Sequence, residues 1–321
     1  MRHAVFLAFG LFLLLLAPSP ARAAFKMRSV TVNGQTYVFL RDVATYYAMR
    51  YAPQKGLTVL SSGRSRLDFT IDKRECALCG VTVHLSFAPT VWQTETVMSE
   101  RDFLLLLDPI LRGAAVPKQK VSRIMLDPGH GGRDVGGIGK LYQEKTITLA
   151  LSRRLTEKLE KYGYVVNATR TSDVEVDLER RAPLAENWRA DLFISLHCNL
   201  TEASEVKGVE TFLVAPEGTP STYSNSPKVK SCSGNRFDKQ NSRLAYEVHR
   251  SVVAAVGARD RGIKHAQFAV LRSAPCPAAL IEIGFLSNRD EEKRIGSADH
   301  QDKIAAAIAA GIVKYRQSMN E

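Results

Sequence analysis

The chain has 321 residues, 45% hydrophobic and 24% charged, with a formal net charge of +11. That length leaves room for two domains, one of them with a full-sized core, and that composition excludes disorder along the whole chain. The positive charge suits anionic polymers, but no basic stripe interleaved with aromatics marks a nucleic-acid surface, so no nucleic-acid partner is expected.

Residues 1–23 read as a secretory signal peptide. Arg2 and His3 form a short positive start, Ala4 to Ala17 an apolar run too short for a comfortable membrane span, and Ala21-Arg22-Ala23 a cleavage site. The leader carries two of the charges (Arg2 and Arg22), leaving a +9 mature chain that is expected to be exported without stable membrane insertion. Basic charge on an exported protein points to anionic envelope polymers.

Residues 24–112 follow as a small α+β module. Asn33-Gly34 between two alternating runs predicts a hairpin. LRDVATYYAMRY reads as a helix, LTVLS, SRLDFTI, VTVHLSF and TVWQTETVM as strands, and SERDFLLLLDPILRG as a closing helix capped by Ser99. The pattern resembles the copper amine oxidase N-terminal-like domain of envelope proteins. It implies no copper, because His84 is the segment's only histidine, and it leaves a wall-binding or positioning role and a purely structural one both open. Residues 113–120 (GAAVPKQK) read as a linker.

Five cysteines remain in the mature chain. Cys76 and Cys79 form a C-x-x-C without a second pair, which excludes a zinc ribbon and leaves a local disulfide or two free thiols at a turn. Cys232 and Cys276 have the option of pairing, and Cys198 reads as packing.

Residues 121–321 alternate strand and helix, predicting a twisted, mostly parallel α/β sheet with helices on both faces. YVVNATR, ADLFISLHCN, GVETFLVAP, FAVLR and AALIEIGF read as strands; DLERRAPLAENW, SRLAYEVHRSVVAAVG and DKIAAAIAAGIVKYRQ read as helices. The polar stretch 217–239 is expected to be a long loop, and a regulatory flap is one use for it.

Chemistry concentrates at strand ends. The strand Ile124 to Leu126 breaks into a glycine-rich loop carrying His130, and Glu144 opens a helix with the apolar row Ile147, Leu151, Leu155 and Leu159. His197 ends another strand, and Glu282 is embedded in a third. Open α/β sheets place ligands at the carboxyl ends of strands. Two imidazoles and a carboxylate make a three-ligand zinc set with one open position, and the fourth group, an acid, can handle protons. Taken singly, each has a plain alternative: a packed histidine, a turn, a helix N-terminal acid, or, for Glu282, a buried salt bridge.

LDPGHGG, the later Glu144, ADLFISLHCN and LIEIGFLSN together resemble the zinc-dependent N-acetylmuramoyl-L-alanine amidases of the Amidase_3 family, over about Ile124 to Tyr315. The resemblance implies Zn2+ on His130, Glu144 and His197, with Glu282 as catalytic base and acid. It implies peptidoglycan as substrate, cut between N-acetylmuramic acid and L-alanine in wall remodelling or daughter-cell separation, in the periplasm or outside the cell. Arg170 and Arg180 also match recurring positions; they bind a substrate carboxylate or pair with Asp173, Asp177 or Glu186. Asp127 and Asn199 flank the histidines and are candidates to orient them. His249 and His265 need only surface or packing roles. A zinc peptidase and a non-catalytic wall-binding protein are the alternatives, and any protein activator is unknown.

Overall fold

The computed structural model describes residues 26–224 and 229–319. The expected signal peptide lies outside the described residues. The module opens with a hairpin, β1 (Ser29–Val32) and β2 (Gln35–Phe39). Asn33 and Gly34 at its tip both take positive φ (51° and 76°), the geometry that the twist of a two-residue hairpin demands. After helix α1 (Leu40–Tyr46) comes an antiparallel meander of β3 (Arg50–Gln54), β4 (Leu57–Ser61), β5 (Arg66–Thr70), β6 (Glu75–Leu78) and β7 (Val81–His84). The run TVWQTETVM does not form one strand. Gln93, at φ 56°, turns it into the hairpin β8 (Thr90–Trp92) and β9 (Glu95–Ser99). Strand β6 holds the unforeseen part of the C-x-x-C: Cys76 is buried in it, while Cys79 and Gly80 form the positive-φ turn into β7. All five cysteines are free thiols.

The closing helix is interrupted. Helix α2 (Glu100–Asp102) has Ser99 as N-cap, a π-helical stretch spans Phe103–Leu107, and α3 (Asp108–Leu111) carries Pro109. Pro109 has no N–H to give the Leu105 carbonyl four residues back. The Ser242 hydroxyl supplies that carbonyl with a donor at 2.6 Å.

Then follow β10 (Arg123–Pro128), α4 (Glu144–Lys161), β11 (Val165–Ala168), α5 (Leu178–Asn187), β12 (Leu192–Asn199) and β13 (Val209–Val214). Helix α6 (Asp238–Val256), β14 (Asp260–Ala266), α7 (Ala269–Arg272), β15 (Ala278–Phe285), α8 (Arg289–Gly296) and α9 (Ala298–Ser318) complete the chain. The segment FAVLR, expected as a strand, contains the short helix α7 instead. The strand lies just before it, in DRGIKHA, where Arg261 and Lys264 hide the apolar alternation. Both cations pair with Glu210 of β13 (2.8 and 2.6 Å). The polar stretch is shorter than expected: a 3-10 turn at Ser233–Phe237 leads directly into α6.

Strands β11, β10, β12 and β15 are parallel neighbours, β13 runs antiparallel to β15, and β14 is parallel to β13. The sheet is thus mixed, with helices on both faces. Its larger core includes Ile281 and Ile283 with residues of α4, α6 and α9; the smaller includes Leu280, Phe212, Phe193 and residues of α5 and α7. Beyond β14 the sheet continues into the module, since Val83 of β7 pairs with Ile263 of β14, giving eleven strands.

Residues 113–120 are packed rather than free. A Cβ at Gly113 would run into the Ser318 carbonyl, and Val116 is buried. Arg243 donates to the Ile110 carbonyl at 2.8 Å, and Arg74 to that of Ser221 at 3.1 Å.

Two predictions follow from this junction. Ser242→Ala should cost about 1 kcal/mol in denaturant unfolding, the net value of a buried hydrogen bond; an unchanged midpoint would contradict the role of Ser242. His265 is held down to about 4 by burial, aided by the charges of Arg74 and His84. A histidine kept neutral in the fold contributes stability above its ordinary value near 6.5, lost as pH falls from there toward 4. Asp238, pushed up to about 7 by burial, works in the opposite direction, so His265 must be read by difference. Urea unfolding of wild type and His265→Gln at about pH 7.5 and about pH 5 should show the wild type losing more stability on acidification; parallel losses would refute this.

Candidate active site

The strand ends converge as the sequence suggests. Strands β10 and β12 are adjacent, and β12 pairs with β15 so that His197 lies directly beside Glu282. Helix α4 follows the β10 loop and brings Glu144 back over the sheet. His130 sits in that loop at φ 62°, a left-handed conformation uncommon for a residue with a side chain.

Glu144 is the meeting point. Its Oε1 accepts from His197 Nδ1 (2.8 Å) and the Cys198 N–H (2.9 Å), while its Oε2 faces His130 Nε2 (3.1 Å) and accepts from the Gly137 N–H (2.7 Å). Burial alone would raise this carboxyl; the hydrogen bonds from both imidazoles outweigh it and hold Glu144 well below the usual carboxylate range. For His130, burial acts downward, but Glu144 and Asp134 reverse it and raise the ring.

One donor atom from each of His130, Glu144 and His197 lies within 4.8 Å of the others. The His130 Nδ1 is held by Asp134 (2.9 Å), which leaves Nε2 facing inward. Two glycines make room for the rings: a Cβ at Gly129 would meet the His197 imidazole, and one at Gly136 both His130 and Glu144. Two neutralisable nitrogens, an ionised oxygen and a second carboxylate behind one histidine fit zinc.

Glu282 faces the same space. Its Oε2 is buried and has no hydrogen-bond partner. Burial, reinforced by the charges of Glu144 and Glu210, raises it well above an ordinary carboxyl. All four groups line a cavity of about 580 Å³, together with Val176, Leu178, Leu200 and Phe268. No described residue of the 217–239 stretch lines it.

The remaining candidates take other places. Arg170 is buried and donates to the carbonyls of Pro128 (3.0 Å), Gly129 (2.9 Å) and Lys145 (2.9 Å), pinning the His130 loop from beneath. Arg180 is exposed, and the cavity is lined by its neighbour Arg181. Arg181 shares the buried face of α5 with Ala182 and Ala185, a helical period that could have distinguished it. It donates to Asp127 Oδ1 (2.7 Å) and to the His130 carbonyl (3.0 Å). Asp127 is fully buried and also accepts from Thr169 and Ser195, so it steadies the loop through Arg181 rather than by bonding an imidazole. Asn199 lines the cavity and donates to Glu210 (3.0 Å), not to a histidine. Asp134, four residues beyond His130, went unnoticed in the sequence. His249 is a packing residue, bonded to Thr211 and Asp260 (both 2.9 Å).

Comparison with known proteins agrees with this geometry. The Amidase_3 profile, N-acetylmuramoyl-L-alanine amidase, matches residues 124–314. Over 60% of its length the chain is 33% identical to the N-acetylmuramoyl-L-alanine amidase AmiC of Escherichia coli O6:H1, covering 52% of that protein. It is 32% identical over the same share to LytC of Bacillus subtilis, covering 35% of it. The chain thus spans about half or less of the length of these two relatives. Among solved structures, the catalytic domain of CwlV from Bacillus (Paenibacillus) polymyxa superposes with a TM-score of 0.52 at 30% identity, covering 61% of this chain and 99% of that domain. An amidase from Clostridium difficile 630 gives 0.53 at 32%, covering 62% and 98%. The profile match, over more than half of the chain and across every residue of the His130, Glu144, His197 and Glu282 cluster, places this protein in the Amidase_3 family of zinc-dependent N-acetylmuramoyl-L-alanine amidases.

Proposed function

We propose that residues 121–321 form a catalytic domain that hydrolyses the amide joining N-acetylmuramic acid to the L-alanine of the stem peptide in peptidoglycan. The observation that carries this is Glu282, a buried carboxyl with an unpartnered oxygen, set beside a His–Glu–His cluster at the base of an open cavity. His130, Glu144 and His197 would hold a zinc ion, which would supply Lewis acidity at the scissile amide. Glu282 accepts the proton lost as a water adds to the carbonyl. Its raised proton affinity, set first by burial, suits it to take that proton and then deliver it to the nitrogen as the C–N bond breaks. The products are a lactyl carboxylate and a free alanyl amine. Glu144 stays ionised throughout, Asp134 fixes the His130 ring, and Arg170 and Arg181 keep the loop carbonyls in place. Apolar side chains of Val176, Leu178, Leu200 and Phe268 give the substrate a surface on which to dock.

Substrate and family both argue for a site of action outside the cytoplasm, periplasmic or secreted, reached through the leader at residues 1–23. Among the described residues no helix is long and apolar enough to cross a membrane. The 24–112 module, read as similar to the copper amine oxidase N-terminal-like domain, serves to position the catalytic domain on the wall. Its packing against α6 and β14 supports a fixed relation between the two.

The reading is tested by mass spectrometry of purified peptidoglycan digested with the zinc-loaded protein. Stem peptides with a free L-alanine amine and peptide-free glycan are expected; cleaved crosslinks with peptides still on the sugar would show a peptidase instead. Glu282→Gln should keep one zinc per chain while kcat falls at least about a hundredfold. Full activity in that variant would remove Glu282 from the mechanism.

A further inference from the structure

Helix α8 opens with three acids, Asp290, Glu291 and Glu292, and the last two are buried. Glu291 accepts from the N–H groups of Gly208 (3.0 Å) and Phe285 (2.8 Å), tying the approach to β13 to the end of β15. Glu292 reaches the other way. Its Oε1 accepts from the N–H groups of Leu141 (2.7 Å) and Tyr142 (3.0 Å), in the loop that leads to Glu144. Glycines permit this approach: a Cβ at Gly139 would run into Glu292 Oε1, and one at Gly296 into the Tyr142 ring.

The clamped loop is a closed unit. The Glu144 N–H donates to the Gly137 carbonyl (2.8 Å), the Gly139 N–H to the Tyr142 carbonyl (2.9 Å), and Ile138 bridges to Gln143. Gly137 then donates its N–H to Glu144 Oε2, the oxygen that faces His130. Among the described residues no lysine, arginine or histidine forms an ion pair with Glu292, and its Oε2 is buried without a hydrogen bond. Burying an acid this way is costly, and an apolar side chain would fill the space at lower cost. What an apolar side chain cannot do is accept two loop N–H groups.

We propose that Glu292 is a positioning residue for the metal centre: by clamping Leu141 and Tyr142 from α8, it fixes the loop that aims the Glu144 carboxylate. This rests on the reading of His130, Glu144 and His197 as the zinc ligands.

The test compares full-length wild type, Glu292→Gln and Glu292→Ala in competition for zinc against a chromophoric chelator, with thermal unfolding recorded alongside. The glutamine carbonyl accepts the same two N–H groups, so Glu292→Gln should bind zinc with near-wild-type affinity. Glu292→Ala should raise the zinc Kd by about tenfold or more, as removing a group that orients a ligand does, while unfolding stays cooperative. Wild-type affinity in Glu292→Ala, or an equal loss in both variants, would overturn the proposal. If Glu292→Ala does not fold, Gly139→Ala displaces the same carboxylate and should weaken zinc alike; unchanged affinity there would overturn it. Zinc affinity is blind to which bond is cut, so an unexpected digestion product would revise the function and leave this inference standing. A wild type that binds no zinc would remove it together with the metal site.

Discussion

The structure is built around one buried negative charge, the Glu144 carboxylate between two imidazoles. A carboxylate taken out of water must be compensated, and here four donors do so: His130, His197 and the N–H groups of Gly137 and Cys198. They come from two parts of the chain, His130 and Gly137 from the loop after β10 and His197 and Cys198 from the end of β12. The loop after β10, the end of β12 and the start of α4 therefore have to meet at one point. Once that point is fixed, β15 pairs beside β12 and brings Glu282 to the same cavity wall.

Around this centre a second layer of polar groups holds backbone rather than substrate. Arg170 and Arg181 are buried under the His130 loop and spend their donors on its carbonyls. Asp127 neutralises Arg181 at 2.7 Å. Such buried pairs add little net stability but define one arrangement when every donor is used. A metal site needs that definition, because ligand atoms displaced by a fraction of an ångström bind poorly. The module extends the same logic outward: it caps the free edge of β14, which would otherwise offer unpaired backbone groups to other chains.

Much of this was legible in the sequence, for identifiable reasons. The His130, Glu144, His197 and Glu282 positions are legible in combination, as two imidazoles and two acids at strand ends and a helix start whose motifs resemble one family, and the Asn33-Gly34 hairpin because such a pair tolerates its backbone. The strand at 260–266 was hidden because its charges are neutralised by Glu210, a partner fifty residues away. FAVLR reads as a strand on β-propensity, but five residues carry too little pattern to exclude a helical turn, and tertiary packing decides. For Arg170 and Arg180 the sequence leaves substrate binding and ion pairing both open; burial of Arg170 and the helical phase that turns Arg181 inward are three-dimensional facts. The apparent linker at 113–120 was judged on composition, which says nothing of the C-terminal helix that packs over it.

The claim on which all of this depends is that His130, Glu144 and His197 hold one zinc ion beside Glu282. Anomalous diffraction from zinc-loaded crystals, recorded on both sides of the zinc absorption edge, tests it most directly. The account predicts a single strong peak at about 2.0–2.2 Å from a nitrogen of each histidine and an oxygen of Glu144, with Glu282 facing its open side. A peak at other residues, or none in a crystal that digests peptidoglycan, would contradict it.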